Sequence, residues 1–405
     1  MQNMISLQNI EKAAALLSGK ILKTPLVYSP TFSRMVNAEV FLKLENMQKT
    51  GSFKIRGAAH KLLLRKDDIG INGVVAASAG NHAQGVAWAT KMADIPATIV
   101  MPEWTSISKQ EATANYGGEV IIYGASVEES LKKAQTLSHK QKTFIHPFDD
   151  PDIIHGQGTI ALEIFEDLPD TDLIMVPIGG GGLISGIAAA SRSIRPATKI
   201  IGVQASNCPS AHKSLKAGKI TKVKAHSSIA DGISVKQTGS ITFGLIKQYV
   251  DEIRLVDEGE IARAILLLLE RKKILAEGAG AVTLAAVLNK QFQVSSKSKI
   301  VLIISGGNVD SPLLDRIINQ GLLQSGRILR LCINLEDRPG ALSQLLEKIA
   351  RLQANVLNIH HERGSKTLPL YTTRVEMELE TRSQSHLETI LAQLNTEGYQ
   401  LETRS

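Results

Sequence analysis

Leu173-Ile174-Met175-Val176-Pro177-Ile178-Gly179-Gly180-Gly181-Gly182-Leu183 joins an apolar, β-branched run to four consecutive glycines. The run has the length and composition of a strand buried on both faces. The glycines end it and lead into a helical pattern. The same succession recurs along the chain. Val40–Leu44, Val74–Ala77, Ala97–Met101, Ile200–Gln204 and Lys299–Ile304 are short apolar runs, each followed by small or polar residues and then a helical stretch. Strands alternating with helices predict a parallel, doubly wound α/β architecture over residues 1–320. No fixed-period repeat is visible.

Composition points the same way. A chain of 405 residues is longer than one compact core usually holds. Hydrophobic residues are 43% and aromatics only 4%, so Ala, Ile, Leu and Val supply the apolar mass. That balance suits helix-covered parallel sheets better than an aromatic-rich sandwich. The net charge is +7, yet the basic residues are scattered. Their densest stretch, Lys213–Lys224, is broken by Gly218 and small residues and reads as a solvated face. No nucleic-acid motif accompanies it, so no nucleic-acid partner is expected. Cys208 and Cys332 are far apart, with no zinc spacing or disulfide framework. Met1–Lys20 lacks a signal pattern, and the most apolar run, Ile265–Leu269, is too short to span a bilayer. A soluble cytoplasmic protein is expected, with no membrane partner.

The pattern changes near Asn319–Arg327, so residues 321–327 read as a linker. Ile328–Leu335 reads as a strand, Pro339–Leu352 as a helix, Val356–His360 and Tyr371–Leu379 as strands. Ser385–Asn395 reads as a helix and Tyr399–Glu402 as a last strand. The order β-α-β-β-α-β predicts a ferredoxin-like module over residues 328–405.

Four motifs carry chemistry, each at a strand-to-helix switch. In Thr50-Gly51-Ser52-Phe53-Lys54-Ile55-Arg56-Gly57, Ser52 is a natural N-cap that places Lys54 in the first helical turn. The helix dipole there disfavours an ammonium ion and favours the neutral amine that Schiff-base chemistry needs. Taken alone, Lys54 reads better as a surface lysine that tolerates the spot. Ser78-Ala79-Gly80-Asn81-His82-Ala83-Gln84-Gly85 offers a tight loop, helix-start N–H groups for a carboxylate, and the amide of Asn81. Gly179, Gly180, Gly181, Gly182 and Leu183 can wrap a phosphate. The dinucleotide spacing fails, because Ser185 stands where a third glycine is needed. A Walker loop is absent too, so a mononucleotide-sized phosphate ligand fits better than NAD or ATP. Ser305-Gly306-Gly307-Asn308 puts a neutral hydroxyl at a strand's carboxyl end. In a parallel sheet these switches share one edge, and together they match the aldehyde, ring hydroxyl, phosphate and ring nitrogen of pyridoxal phosphate.

On these motifs, residues 5–320 resemble the threonine dehydratase (threonine ammonia-lyase) family of fold-type-II pyridoxal-phosphate enzymes. SFKIRGA at 52–58, SAGNHAQG at 78–85, GGGGL at 179–183 and SGGN at 305–308 carry the resemblance. It implies two parallel-sheet lobes, the smaller one (about 46–145) inserted in the larger. It also implies site roles. Lys54 would bear the cofactor as a Schiff base and act as base at the substrate Cα. Phe53 would pack beside the ring and Asn81 would bond its oxygen. Gly179 to Leu183 would hold the phosphate, and Ser305 would face the ring nitrogen. Ser78 would lie near the substrate carboxylate as an acid or base on the opposite face. The implied reaction is β-elimination, taking L-threonine to 2-oxobutanoate and ammonia and L-serine to pyruvate. Some relatives bind a divalent cation after the strand equivalent to Ile200–Gln204. Here Gln204–Ser210 contains no Asp or Glu, so no metal site is expected.

Residues 328–405 resemble an ACT domain through Asp337-Arg338-Pro339-Gly340-Ala341-Leu342. That implies pairing into a homodimer or homotetramer and an amino-acid effector, isoleucine or valine by family (some relatives respond to nucleotides instead), with a place in isoleucine biosynthesis. A structural dimerisation module with no ligand is the alternative. Serine racemase or serine dehydratase is the same-class alternative. A non-catalytic amino-acid sensor is the alternative from another class.

Overall fold

The computed structural model describes residues 5–138, 142–289, 292, 294–363 and 368–403. Its contacts divide the chain into two compact units, Met1–Leu314 and Asp315–Ser405. The helix Ser311–Gln324 runs through the boundary.

The first unit holds two sheets. The larger orders its strands Leu26–Tyr28, Glu39–Leu44, Lys299–Ile304, Leu173–Pro177, Lys199–Ala205 and Glu252–Val256. Only the first pair is antiparallel; the other neighbours are parallel. The smaller sheet orders Glu119–Ile122, Ala97–Met101, Val74–Ala77 and Thr143–Phe144, all parallel. Helices cover these strands, which is why they read as unbroken apolar runs rather than alternating ones. Ile300, Val301, Leu302, Ile303 and Ile304 are all 0% exposed. Each such side chain stabilises the fold by roughly 1.5–3 kcal/mol relative to exposure, before entropy is subtracted. The large-lobe core adds Ile154, Ile160 and Ile164 of one helix and Ile184 and Ile187 of another. The small-lobe core gathers Leu62, Val74, Ile99 and Met101. The doubly wound α/β expectation therefore holds.

The second unit is a four-stranded antiparallel sheet, ordered Asn355–Glu362, Thr372–Glu380, Ile328–Glu336 and Leu401–Thr403. Helices Ala341–Arg351 and Gln384–Thr396 complete the β-α-β-β-α-β order. The alternating burial of Thr372–Glu380 shows one face packed and one open.

Three local expectations fail. Residues 321–324, read as part of a linker, end the helix Ser311–Gln324, leaving only 325–327 between it and the next strand. Ser52 does not cap the Lys54 helix, which begins at Lys54 after Phe53 with no side-chain cap. Ser52 instead forms a β-bridge to Gly306, and its buried Oγ has no partner among the described residues. Pro339 does not enter the following helix. Gly340 precedes that helix with φ 88°, a left-handed conformation open to glycine.

Candidate active site

Strands Leu173–Pro177 and Lys299–Ile304 are neighbours, although many residues separate them in sequence. Their carboxyl ends deliver the glycine loop and Ser305 to one crevice, where the strand order switches direction. The Lys54 loop is tied to the same place. Phe53 N donates to Ser305 O at 3.1 Å, Gly307 N donates to Gly51 O at 2.9 Å, and Asn308 Nδ2 donates to Thr50 O at 2.8 Å.

Lys54 is half-buried and, among the described residues, has no ion pair to a carboxylate. Its Nζ donates to the Pro147 carbonyl at 2.9 Å and stands 5.3 Å from the centre of the Phe53 ring. Burial lowers its pKa to about 8, against an opposing pull from Glu277. At neutral pH a far larger fraction is neutral amine than for a surface lysine. The Asn81 helix lies close against this turn. A Cβ at Gly85 would stand 3.2 Å from Ile55 N and from the Lys54 carbonyl carbon, so a glycine there lets the helices approach.

Asn81 is held at both ends of its amide. Nδ2 donates to Glu277 Oε1 at 2.8 Å, and Oδ1 accepts from Asn308 Nδ2 at 2.8 Å. Glu277 is only 5% exposed. Burial, and then the charge of Asp231, raises its pKa to about 8, outweighing Asn81, Lys109 and Lys54. His82 accepts no charge at neutral pH: burial, and then the charge of Lys54, lowers its pKa to about 3. Ser78 Oγ accepts from Gly80 N at 3.1 Å and so tightens its loop. Ser305 is 2% exposed, and its Oγ donates to Ala279 O at 3.3 Å.

The glycine loop leads into the helix Gly182–Ile194, with Leu183 buried in its first turn. Gly181 has φ 102°, which only glycine adopts without strain. At Gly180 a Cβ would lie 2.3 Å from Phe148 ring carbons. Thr242 Oγ1 donates to Gly180 O at 2.7 Å and fixes the turn from the other side. Phe148 follows Pro147, so one short segment touches both the Lys54 amine and the glycine loop.

Sequence reasoning gave Glu277 no defined role, assigned none to Pro147 or Phe148, and named Asn308 only as the end of the Ser305 motif. A lone acid inside the apolar stretch Ile274-Leu275-Ala276-Glu277-Gly278-Ala279 was a usable signal for the first. Pro147 acts through its carbonyl and Phe148 through packing, which leave no such mark, whereas Asn308 acts through its side-chain amide.

An amine of lowered proton affinity, a neutral hydroxyl and a glycine turn stand at the carboxyl ends of neighbouring strands. Thr50 Oγ1 and Ser52 Oγ lie on the same loop as Lys54, buried and without protein partners. This donor set fits pyridoxal phosphate, and the two lobes define an enzyme of fold type II. Residues 17–306 match the family model described as pyridoxal-phosphate dependent enzyme, and the chain belongs to that family.

Its relatives are informative about extent. The L-threonine ammonia-lyase of Thermotoga maritima is 49% identical, covering 98% of this chain and 99% of its own length. The catabolic L-threonine dehydratase of Escherichia coli is 44% identical over 77% of this chain and 96% of its own length. Among solved structures, maize serine racemase superposes with TM-score 0.74 at 37% identity, covering 79% of this chain and 98% of that one. The processed form of threonine deaminase isoform 2 from Solanum lycopersicum gives TM-score 0.74 at 34% identity, covering 78% of this chain and 88% of that one.

Proposed function

We propose that this chain is an L-threonine ammonia-lyase acting from the cytoplasm, with activity on L-serine as well. The observation that carries the reading is the half-buried Lys54 amine, at the carboxyl edge of the sheet, beside Asn81, Ser305 and the glycine loop. Curated L-threonine ammonia-lyases at 46% and 49% identity over nearly the whole chain support the substrate.

Lys54 is the residue to carry the cofactor. Phe53 would lie beside the bound cofactor, Asn81 would bond its ring oxygen, Gly179 to Leu183 would supply N–H groups to its phosphate, and Ser305 would meet its ring nitrogen. Bound pyridoxal phosphate supplies an electron sink for the carbon that loses its proton. With a pKa of about 8, Lys54 can take up the substrate Cα proton near neutral pH. Ser305 offers no charge to the ring nitrogen, which favours loss of the β-hydroxyl over transamination. Ser78 and the N–H groups of its loop would bind the substrate carboxylate. Ser78 is also the candidate acid or base on the other face.

Residues 328–405 are proposed to be an ACT-type regulatory module. A cavity of about 140 Å³ lies within it, lined by Asp337 to Leu342, His361 and Arg363. The full-length coverage by the Thermotoga maritima enzyme, against 77% by the Escherichia coli one, fits an addition to a shared catalytic unit.

The test is a substrate panel. Purified holoenzyme is given L-threonine, L-serine and D-serine, with and without isoleucine or valine, and the products are resolved by chiral chromatography. The proposal expects 2-oxobutanoate and ammonia from L-threonine as the fastest reaction. D-serine as the main product from L-serine would replace it with a racemase.

A further inference from the structure

Arg56 lies two residues beyond Lys54, is 0% exposed, and is among the largest fully buried side chains of the protein. Its guanidinium is gripped on two sides. Nε and Nη2 donate to Glu45 Oε2 and Oε1, both at 2.8 Å. Nη1 and Nη2 donate to Glu163 Oε1 and Oε2 at 2.6 and 2.9 Å, and Nη1 also reaches Thr159 Oγ1 at 3.1 Å. Lys43 closes the cage, with Nζ donating to Glu163 Oε2 at 2.5 Å and to Thr24 O at 2.6 Å. Two cations therefore balance two carboxylates, Glu45 fully buried and Glu163 with 15% of its side chain exposed. Burial alone would push Glu45 up, but Arg56, Lys43 and Thr24 hold it below the usual carboxylate range.

The cage spans three elements. Arg56 stands on the helix Lys54–Leu64, Glu45 directly follows the strand Glu39–Leu44, and Glu163 and Thr159 stand on the helix Pro151–Asp167. The two helices meet backbone to backbone at the same level. A Cβ on Gly57 would lie 2.7 Å from Ile153 O, and one on Gly156 would lie 2.5 Å from Arg56 O. The Lys54 helix has no side-chain cap to hold its start. Lys54 itself is restrained beyond its backbone by the hydrogen bond to Pro147 O and by the Phe53 ring. The position of its amine thus follows from how firmly the first turn is held.

We propose that Arg56 is a positioning residue: its buried cage locks the first turn against the large lobe and so fixes where the Lys54 amine stands. The inference rests on the reading of Lys54 as the cofactor-bearing residue. An ion cage of this kind offers specificity of geometry rather than stability, because hydrophobic packing would often hold as well. Only a planar fork can meet two carboxylates side-on, so a lysine keeps the charge and loses the geometry.

The test compares Arg56→Lys with wild type, each shown folded by circular dichroism below its melting temperature. Steady-state assays with L-threonine are paired with absorbance titration of the apoprotein by pyridoxal phosphate. A displaced amine lowers kcat about 10- to 100-fold, leaves KM within about threefold, and weakens cofactor binding by about tenfold. A merely structural role would lower the melting temperature alone. Unchanged kcat and an unchanged cofactor titration in folded Arg56→Lys overturn the proposal. If that variant does not fold, Glu45→Gln is read in its place by the same criteria. Lys54→Ala is assayed alongside. Wild-type turnover there would remove the reading of Lys54 and this inference with it, whereas an inactive Lys54→Ala beside a wild-type-like Arg56→Lys would remove this inference alone.

Discussion

Replacing Glu277 by Gln should abolish a pH dependence of stability that this residue imposes on the apoprotein. Its carboxyl is 5% exposed and its pKa is raised from 4.5 to about 8, first by burial and then by Asp231. Below pH 4.5 the residue is protonated in folded and unfolded chains alike. Between 4.5 and about 8 the folded chain keeps a proton that the unfolded chain has lost. Stability therefore falls as pH rises through that window. At about 1.36 kcal/mol per unit, the loss between pH 5 and pH 8 is about 3–4 kcal/mol. Glutamine keeps an acceptor for Asn81 Nδ2 and never ionises. The chain has two tryptophans, Trp88 and Trp104, both in the first compact unit. Urea unfolding followed by their fluorescence thus reports that unit without the C-terminal module. Glu277→Gln should unfold at a higher urea concentration than wild type at pH 8, and the gap should close by pH 5. Parallel curves for the two proteins across this range would refute the assignment of a buried, neutral Glu277.

Other perturbations follow from the same geometry. Gly180→Ala drives a Cβ into the Phe148 ring and should cost about 1–3 kcal/mol, with weaker cofactor binding, read by thermal melting and by titration with pyridoxal phosphate. Ser305→Ala removes the hydroxyl and its bond to Ala279 O at a cost of about 0.5–1.5 kcal/mol; it should keep its fold and lower cofactor affinity, as absorbance titration will show. Deleting residues 327–405 should abolish the response to isoleucine or valine while ammonia release from L-threonine persists; a folded truncation without any activity would contradict that separation.

The strands Val74–Ala77, Ala97–Met101 and Lys299–Ile304 have the limits that their apolar runs suggest, because burial on both faces leaves an uninterrupted signal. Leu26–Tyr28 and Glu119–Ile122 carry weaker signals. They are sheet edges, short and half-exposed, so their composition is not distinctive. Ser52 looked like a helix cap because local chemistry allows it, but the bridge to Gly306 took its backbone elsewhere. Lys54, Asn81 and Ser305 were visible because chemistry at strand ends demands particular side chains. Pro147 acts through its carbonyl and Phe148 through its ring, roles that many residue types could fill. Arg56 was legible only as part of a motif. Its partner Glu163 is 107 residues away and is brought in by the packing of one helix on another, while Glu45 arrives from the end of the preceding strand.

The central claim is that Lys54 carries the cofactor and serves the elimination. Borohydride reduction of the holoenzyme, followed by proteolysis and mass mapping, tests it directly. The account predicts one reduced phosphopyridoxyl group per chain, on the peptide containing Lys54, and no ammonia release from L-threonine by Lys54→Ala. A modified lysine elsewhere, or full turnover by folded Lys54→Ala, would contradict it.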